Sequence, residues 1–152
     1  MLSGCFTVVL VACVVHALPP NFVTETILNG GLKGEPMGLS FTSDGFMVVA
    51  ERLGLIWIAD PLVKPLKKNT FMQITNLDDY GEKGLLDAII HPDFNPSTGA
   101  NNFIFVYYCR SSPARCRASK FSFSGTGASR VASLSSEVLL WEDTDGYYGP
   151  WH

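Results

Sequence analysis

Short apolar runs separated by tight turns dominate the middle of the chain. Residues 37–41 alternate in character, the Asp44-Gly45 pair supplies a turn, and residues 46–50 form a second apolar run. An Asp-Gly pair between two such runs is a strong signal for a β-hairpin, because its tight turn favours these residues at its central positions. The pattern therefore predicts antiparallel strands rather than helices.

The strand pattern continues through two units of similar size. The first unit has further candidate strands at residues 55–59 and 71–74. Candidate strands of the second unit lie at 84–90, 103–108, 118–124 and 137–141. Aromatic and β-branched residues are enriched in these runs, and no segment carries the apolar stripe of an ordinary amphipathic helix. The fold class is therefore expected to be all-β.

Two all-β architectures agree with this spacing. Four short strands in about forty residues is the size of one β-propeller blade, whereas about eight strands in total is also the size of a small β-sandwich. Periodicity and turn spacing favour neither architecture over the other, so both stay open on this ground.

The first 17 residues have the pattern of a secretory signal peptide. They contain no Asp, Glu, Lys or Arg, and residues 6–15 form an apolar run. A membrane-spanning segment needs about 20 apolar residues, and a Pro-Pro pair ends this run early. We therefore expect cleavage after Ala17, a mature domain of residues 18–152, and secretion.

Charge and hydropathy exclude two classes of partner. The chain carries 14 acidic and 11 basic residues, for a formal net charge of −3. No run of Lys and Arg is present to contact phosphates, so nucleic acid is not an expected partner. No later segment is apolar and long enough to cross a bilayer, so no transmembrane segment is expected in the mature chain.

Cysteine placement predicts one local crosslink. Cys5 and Cys13 fall within the expected signal peptide, which leaves Cys109 and Cys116 in the mature chain. A close pair in a polar loop of a secreted protein is most simply a disulfide, and this one would hold residues 110–115. A zinc site is not expected, because no histidine lies near these cysteines in the sequence.

The region 78–94 is the strongest candidate for a functional site. A polar, glycine-punctuated loop containing Glu82 leads into an apolar strand, and a His91-Pro92-Asp93 turn ends that strand. Loops at the ends of buried strands are where β proteins place ligand-binding side chains. His91 is expected to lock its turn through hydrogen bonds. The sequence contains no serine-hydrolase elbow, P-loop or dinucleotide-binding motif.

Four stretches resemble the glucose/sorbosone dehydrogenase family, the soluble quinoprotein sugar dehydrogenases. The most specific stretch joins Gly81-Glu82-Lys83-Gly84-Leu85-Leu86 to His91-Pro92-Asp93-Phe94. The other three cover residues 18–27, 35–56 and 136–140, in the family's order. The family fold is a six-bladed β-propeller. The resemblance implies that this chain holds roughly the first two blades, and we expect it to be a truncated, inactive fragment.

The resemblance also implies a chemistry. Family members hold pyrroloquinoline quinone and calcium over the central opening, and a histidine takes the proton from the sugar hydroxyl. His152 matches that catalytic base, although the two glycines that follow it in the family are absent here. Glu82 matches a cofactor-binding position at which these enzymes carry an amide. A carboxylate there would serve the cation instead, or would mark a related receptor without a cofactor. No metal-ligating residue is predicted.

Two further acidic positions receive an interpretation from their surroundings. Asp87 lies in an apolar strand where the family usually has glycine, and a buried carboxylate is costly unless paired, so it is expected to face the central channel. Glu51-Arg52 occupies a predicted turn and is interpreted as a hairpin ion pair.

Two functions remain open at this point. The first is quinone-dependent oxidation of a sugar or related alcohol by the complete secreted protein. The second is a non-catalytic extracellular binding module that resembles the hedgehog-interacting proteins and holds a protein partner. Glu82, Asp87 and the Cys109/Cys116 loop fit the second function at least as well as the first.

Overall fold

The computed structural model describes residues 21–28 and 30–143, which form two antiparallel sheets. The first sheet has the strand order β1-β2-β3-β4. Its strands are β1 (Pro36–Phe41), β2 (Met47–Glu51), β3 (Leu55–Ala59) and β4 (Asn69–Gln73). Each strand pairs with the next one along the chain, so the sheet is a simple meander, as the sequence predicts.

The second sheet follows the same plan with one addition. Its strands are β5 (Leu85–Ile90), β6 (Phe103–Ser111), β7 (Ala114–Ser124), β8 (Val131–Ala132) and β9 (Val138–Glu142). β5, β6 and β7 pair in chain order, and both β8 and β9 pair with β7. The sequence does not predict the short strand β8, because two residues are too few to produce a periodic signal.

Helical structure in the described part of the chain is limited to two 3-10 turns of three residues, Gly127–Ser129 and Leu134–Ser136. The expectation of an all-β fold is therefore confirmed. Within the same residues, no helix has the length and apolar character needed to traverse a bilayer.

The principal core lies between the two sheets. Alternate residues of β2 and β3 point into it, among them Val48 and Ile56, which are fully buried. The facing sheet contributes Phe121 and Phe123 from β7, as the in–out alternation of that segment predicts. Burying one such side chain stabilises the fold by about 1.5–3 kcal/mol, so this interface fixes how the two sheets sit against each other.

The outward faces of both sheets also carry apolar side chains. β1 exposes Met37, Leu39 and Phe41, and an open cavity of about 300 Å³ lies over this face. In β9, four consecutive residues from Val138 to Trp141 are exposed. A sandwich seals its apolar residues between two sheets, whereas each blade of a propeller packs against two neighbours. The first strands, β1 and β5, lie side by side. The arrangement is that of two adjacent propeller blades.

Strand direction gathers certain loops at each end of the sheets. We call one end the upper rim; it comprises the turn 52–54, loop 74–84, the turn 112–113 and the end of β9 at Glu142. The opposite end, the lower rim, comprises the turn 42–46, loop 60–68, loop 91–102 and segment 125–130. Candidate site residues can therefore be sorted by the rim on which they lie.

Candidate functional site

Loop 74–84 at the upper rim carries Glu82 between β4 and β5. The Lys83 ammonium lies 2.9 Å from an Asp78 carboxylate oxygen, and Lys83 is buried. The Asp78 amide donates to the Cys109 carbonyl at 3.0 Å, which ties the loop to the second sheet. Glu82 itself is exposed and makes no hydrogen bond to any described residue. The loop is thus fixed from within while the Glu82 carboxylate is directed to solvent.

Arg52, in the turn between β2 and β3, braces the same loop from the first sheet. Its Nη1 donates to the carbonyl oxygens of Asp79 at 2.7 Å and Gly81 at 3.1 Å. Its Nε donates to a Glu35 carboxylate oxygen at 2.6 Å. Gly84 allows this approach: it has φ of +123°, and a Cβ there would lie 2.6 Å from the Arg52 carbonyl oxygen.

Glu51 does not pair with Arg52, so the interpretation of these two residues as a hairpin ion pair is wrong. At the end of a strand, the side chains of adjacent residues point to opposite faces of the sheet. The Glu51 side chain points inward, where it is fully buried. One carboxylate oxygen accepts from the Trp57 indole at 2.8 Å, and the other accepts from the amides of Lys33 at 2.7 Å and Gly34 at 2.9 Å. Glu51 therefore fastens the segment before β1 to the sheet.

Asp87 lies in a β-bulge of β5, opposite Tyr107 of β6. One of its carboxylate oxygens accepts from the Ala88 amide at 2.8 Å, and the side chain is half-buried. A Cβ on Gly38 would come within 2.4 Å of that oxygen, so the absence of a side chain at Gly38 lets β1 approach β5. The Asp87 carboxylate thus lies where β5 meets β1. Its orientation toward a central channel stays a prediction.

His91 lies at the lower rim, away from the Glu82 loop. Its Nδ1 accepts from the Asp93 amide at 3.1 Å, and its carbonyl oxygen accepts from the Phe94 amide at 3.0 Å. Phe94 is buried, with its ring centroid 4.9 Å from that of Phe123. The prediction that His91 locks its turn is confirmed, and this residue takes no part in the upper rim.

The Cys109–Cys116 disulfide is present, but the polar loop expected around it is a β-hairpin. Cys109 and Cys116 are directly opposite each other in the β6–β7 register. The Asp143 amide donates to the Cys116 carbonyl at 2.9 Å, so the hairpin also holds the end of β9. Strand pairing continues beyond the cysteines as far as Ser111 and Ala114, next to the 112–113 turn.

We expect no free thiol in the chain that cleavage after Ala17 would leave, because that cleavage would remove Cys5 and Cys13. A maleimide probe should label neither Cys109 nor Cys116, with or without denaturant, and should label both after reduction. Labelling of both cysteines in the native, unreduced protein would contradict this expectation.

A polar cluster joins β6, β7 and β9, with Tyr108, Arg117 and Ser119 buried and Glu137 exposed, and sequence reasoning missed it. One carboxylate oxygen of Glu137 accepts from the Tyr108 hydroxyl and from the Ser119 hydroxyl, each at 2.7 Å, and lies 3.3 Å from Arg117. Burial, followed by the hydrogen bond to Glu137 and the negative charge of that residue, raises the pKa of Tyr108 to about 12. Arg117 also pairs with Glu142. The cluster anchors β9, which ends at the upper rim.

Several predicted positions lie outside the described residues. They are the signal segment 1–17, with Cys5 and Cys13, and the proposed base His152. Among residues 21–28 and 30–143, no group of three or more His, Cys, Asp or Glu side chains is placed to hold a metal ion. The described part of the chain therefore brings Glu82, Arg52 and the end of β9 to one rim, without a complete metal centre.

Two adjacent antiparallel blades with polar loops gathered at one rim define part of a β-propeller. A putative oxidoreductase (glucose dehydrogenase) from Thermus thermophilus shares 27% identity, with a TM-score of 0.52, over 68% of this chain and 28% of its own length. The PQQ-bound aldose sugar dehydrogenase of Streptomyces coelicolor shares 19% identity, with a TM-score of 0.58, over 78% of this chain and 33% of its own.

The family model described as "Glucose / Sorbosone dehydrogenase" matches residues 33–152. The chain belongs to this family. It spans about a third or less of the length of the two solved structures named above. A comparison with curated protein sequences found no match.

Proposed function

We propose that the propeller to which these two blades belong is a secreted oxidoreductase that oxidises a sugar or related alcohol with pyrroloquinoline quinone and calcium. Family membership over residues 33–152 carries this proposal. The printed names of the two solved relatives, a glucose dehydrogenase-type oxidoreductase and a PQQ-bound aldose sugar dehydrogenase, support both substrate class and cofactor. The activity is proposed for the whole propeller, because this chain spans only part of those relatives.

The chemistry of Glu82 decides how this chain would contribute to such a site. Pyrroloquinoline quinone carries carboxylates of its own. The negatively charged Glu82 side chain is therefore a poor direct partner for it. Calcium binds six to eight oxygen ligands, and an exposed carboxylate on a fixed loop suits this hard cation. Glu82 would supply one such oxygen, and the remaining ligands would come from elsewhere in the propeller. The quinone, when bound, would supply the oxidising group.

His152 is proposed as the general base. A neutral imidazole accepts a proton near pH 7, and removal of the hydroxyl proton of the substrate is what oxidation of an alcohol requires. β9 ends at Glu142 on the upper rim, the same rim as Glu82. The direction of β9 supports a base supplied by the segment that follows it.

Secretion is proposed on two grounds. Residues 1–17 have the composition of a signal peptide, and a structural disulfide is typical of proteins that fold in an oxidising compartment. Mass spectrometry of the protein recovered from culture medium should give Leu18 as the first residue. Retention in the cell with an intact N-terminus would overturn this part of the proposal.

The test uses the full-length secreted protein with calcium and pyrroloquinoline quinone. We expect calcium-dependent quinone binding, followed by absorbance, and dye reduction with aldoses. A His152→Ala variant should lose turnover and keep quinone binding, whereas Asp93→Asn at the lower rim should change neither. Absence of both quinone binding and turnover in the unaltered protein would overturn the proposed function.

One observation favours a second candidate. Glu82 is an exposed carboxylate at a position where the resemblance implies an amide, and a binding module without a cofactor has no need of that amide. The alternative function is therefore extracellular protein binding of the hedgehog-interacting type. Failure to bind quinone together with saturable binding of an extracellular protein partner would favour it.

A further inference from the structure

We propose that Arg52 is the positioning residue for Glu82, holding loop 74–84 in the conformation that ligand binding at the upper rim requires. The proposal rests on the proposed function for its ligand, but the bracing of the loop can be measured without any ligand. It goes beyond the family motif, because Arg52 acts through main-chain contacts that the sequence does not reveal.

The Arg52 guanidinium reaches the loop on both sides of its tip. Its Nη1 bonds to the carbonyls of Asp79 and Gly81, which flank Tyr80, at 2.7 Å and 3.1 Å. The second of these carbonyls belongs to the residue directly before Glu82. Since the next residue, Lys83, is buried and paired with Asp78, the Glu82 main chain is held on both sides. Only the Glu82 side chain remains free to adjust to a ligand.

Arg52 is itself immobilised, as a positioning group must be. Its amide donates to the Glu35 carbonyl and its carbonyl accepts from the Leu85 amide, each at 2.8 Å. Its Nε bonds to the Glu35 carboxylate at 2.6 Å, and 23% of the side chain is exposed. The turn 52–54, the start of β1 and the start of β5 therefore meet at one residue. A loop braced from this junction keeps a fixed relation to both blades.

Arginine suits this position better than lysine. Its planar guanidinium presents several donors in a fixed fork, so one side chain satisfies two carbonyls and a carboxylate at once. A lysine ammonium carries the same charge on a flexible stem and would hold fewer of these partners in one geometry. Bracing before binding also removes the entropy loss of ordering the loop when a ligand arrives.

The test compares Arg52→Lys and Arg52→Gln with Arg110→Lys in the full-length secreted protein. Arg110 is a matched control, because its side chain lies at the same rim and donates to the carbonyl of Ser112 at 2.6 Å. Its bridge to Leu77 of loop 74–84 is made by the main chain, which the substitution leaves in place. Hydrogen exchange of the amides of residues 79–84 is measured without ligand. Both Arg52 variants should exchange about tenfold faster there, with β2 and β3 unchanged, and the control should match the unaltered protein.

A second readout concerns binding. The dissociation constant for quinone in the presence of calcium should rise about tenfold in both Arg52 variants and stay unchanged in Arg110→Lys. Glu35→Gln, which removes only the charged partner of Arg52, should give intermediate exchange rates in the loop. This variant keeps the proposal open to refutation if the Arg52 variants fold poorly.

The outcomes separate the two proposals. Exchange in residues 79–84 that is unchanged in the Arg52 variants and in Glu35→Gln would overturn the bracing role. The bracing role would also be overturned if Arg52→Lys had the exchange rates of the unaltered protein. The same holds if the amides of β2 and β3 exchanged faster by the same factor as those of residues 79–84. Failure of the unaltered protein to bind quinone, with the loop exchange as expected, would overturn the proposed function and leave the positioning role of Arg52 supported.

Discussion

Replacing Glu51 with alanine is expected to lower the free energy of unfolding by about 3–5 kcal/mol. The substitution removes the acceptor of three hydrogen bonds, from Trp57 at 2.8 Å, Lys33 at 2.7 Å and Gly34 at 2.9 Å. It also removes the negative charge that lies 3.7 Å from the Lys68 ammonium. The buried Trp57 indole would be left without an acceptor, which is expensive, and the Lys33 and Gly34 amides would lose theirs as well. Urea unfolding followed by circular dichroism measures the loss.

Glu25→Gln is the matched control for Glu51. Glu25 also pairs with a lysine, Lys64 at 2.7 Å, but 70% of its side chain is exposed. Exposed ion pairs contribute little to stability, so this variant should unfold at nearly the same urea concentration as the original protein. Equal effects of Glu51→Ala and Glu25→Gln would contradict the structural role assigned to Glu51.

The second large effect is expected at the ion pair between Asp44 and Arg130, which joins the two sheets at the lower rim. Arg130 donates to both carboxylate oxygens of Asp44, at 3.0 Å and 2.6 Å. Its guanidinium lies 5.3 Å from the Phe46 ring centroid and 5.0 Å from that of Phe94, and Arg130 is 2% exposed. Asp44→Asn would leave this buried charge without its counterion and should destabilise the fold by about 3–5 kcal/mol.

A double-mutant cycle isolates this interaction. The double variant Asp44→Asn/Arg130→Met has no unpaired charge. Its loss of unfolding free energy should therefore be clearly smaller than the sum of the losses in the two single variants. Urea unfolding measures the free energy of unfolding of each variant. If the losses in the two single variants add up to the loss in the double variant, the two side chains do not interact and the prediction is contradicted.

Acid should weaken the same contact. Burial favours the neutral acid, but hydrogen bonds from Arg130 and Thr42 and the positive charge of Arg130 hold the pKa of Asp44 below 3.8, its ordinary value. A group with a depressed pKa contributes its full stabilisation above the ordinary value and loses it as the pH falls through the folded-state pKa. The stability difference between the original protein and Asp44→Asn should therefore narrow below pH 3.8. A difference that stays constant into stronger acid would contradict the assignment.

Local features of the fold could be predicted from the sequence because they depend on neighbouring residues. The Asp44-Gly45 turn, the alternation that buries Phe121 and Phe123, and the His91 turn each need only a few consecutive positions. The exposed position of Glu82 followed from the polar loop around it. Its role in binding remains a prediction.

Long-range partners could not be predicted in the same way. Asp44 and Arg130 are 86 positions apart, and Arg52 meets the carbonyl of Asp79 in loop 74–84 across 27 positions of the sequence. Periodicity reports which face of a strand a residue occupies, and it carries no information about the opposite sheet. For that reason the sequence suggests an ion pair between Glu51 and Arg52, although the two side chains point in opposite directions.

The ion pair between the sheets and the proposed binding loop lie at opposite ends of the sheets, which has a practical consequence. The Asp44–Arg130 pair and the aromatic rings around it hold the blades together at the lower rim, while Glu82 and its brace occupy the upper rim. Substitution libraries confined to loop 74–84 and the 112–113 turn, with Glu51 and Arg52 left intact, would vary the proposed binding surface while leaving the ion pair between the sheets untouched. Such a division makes this scaffold a suitable starting point for directed evolution of new specificities.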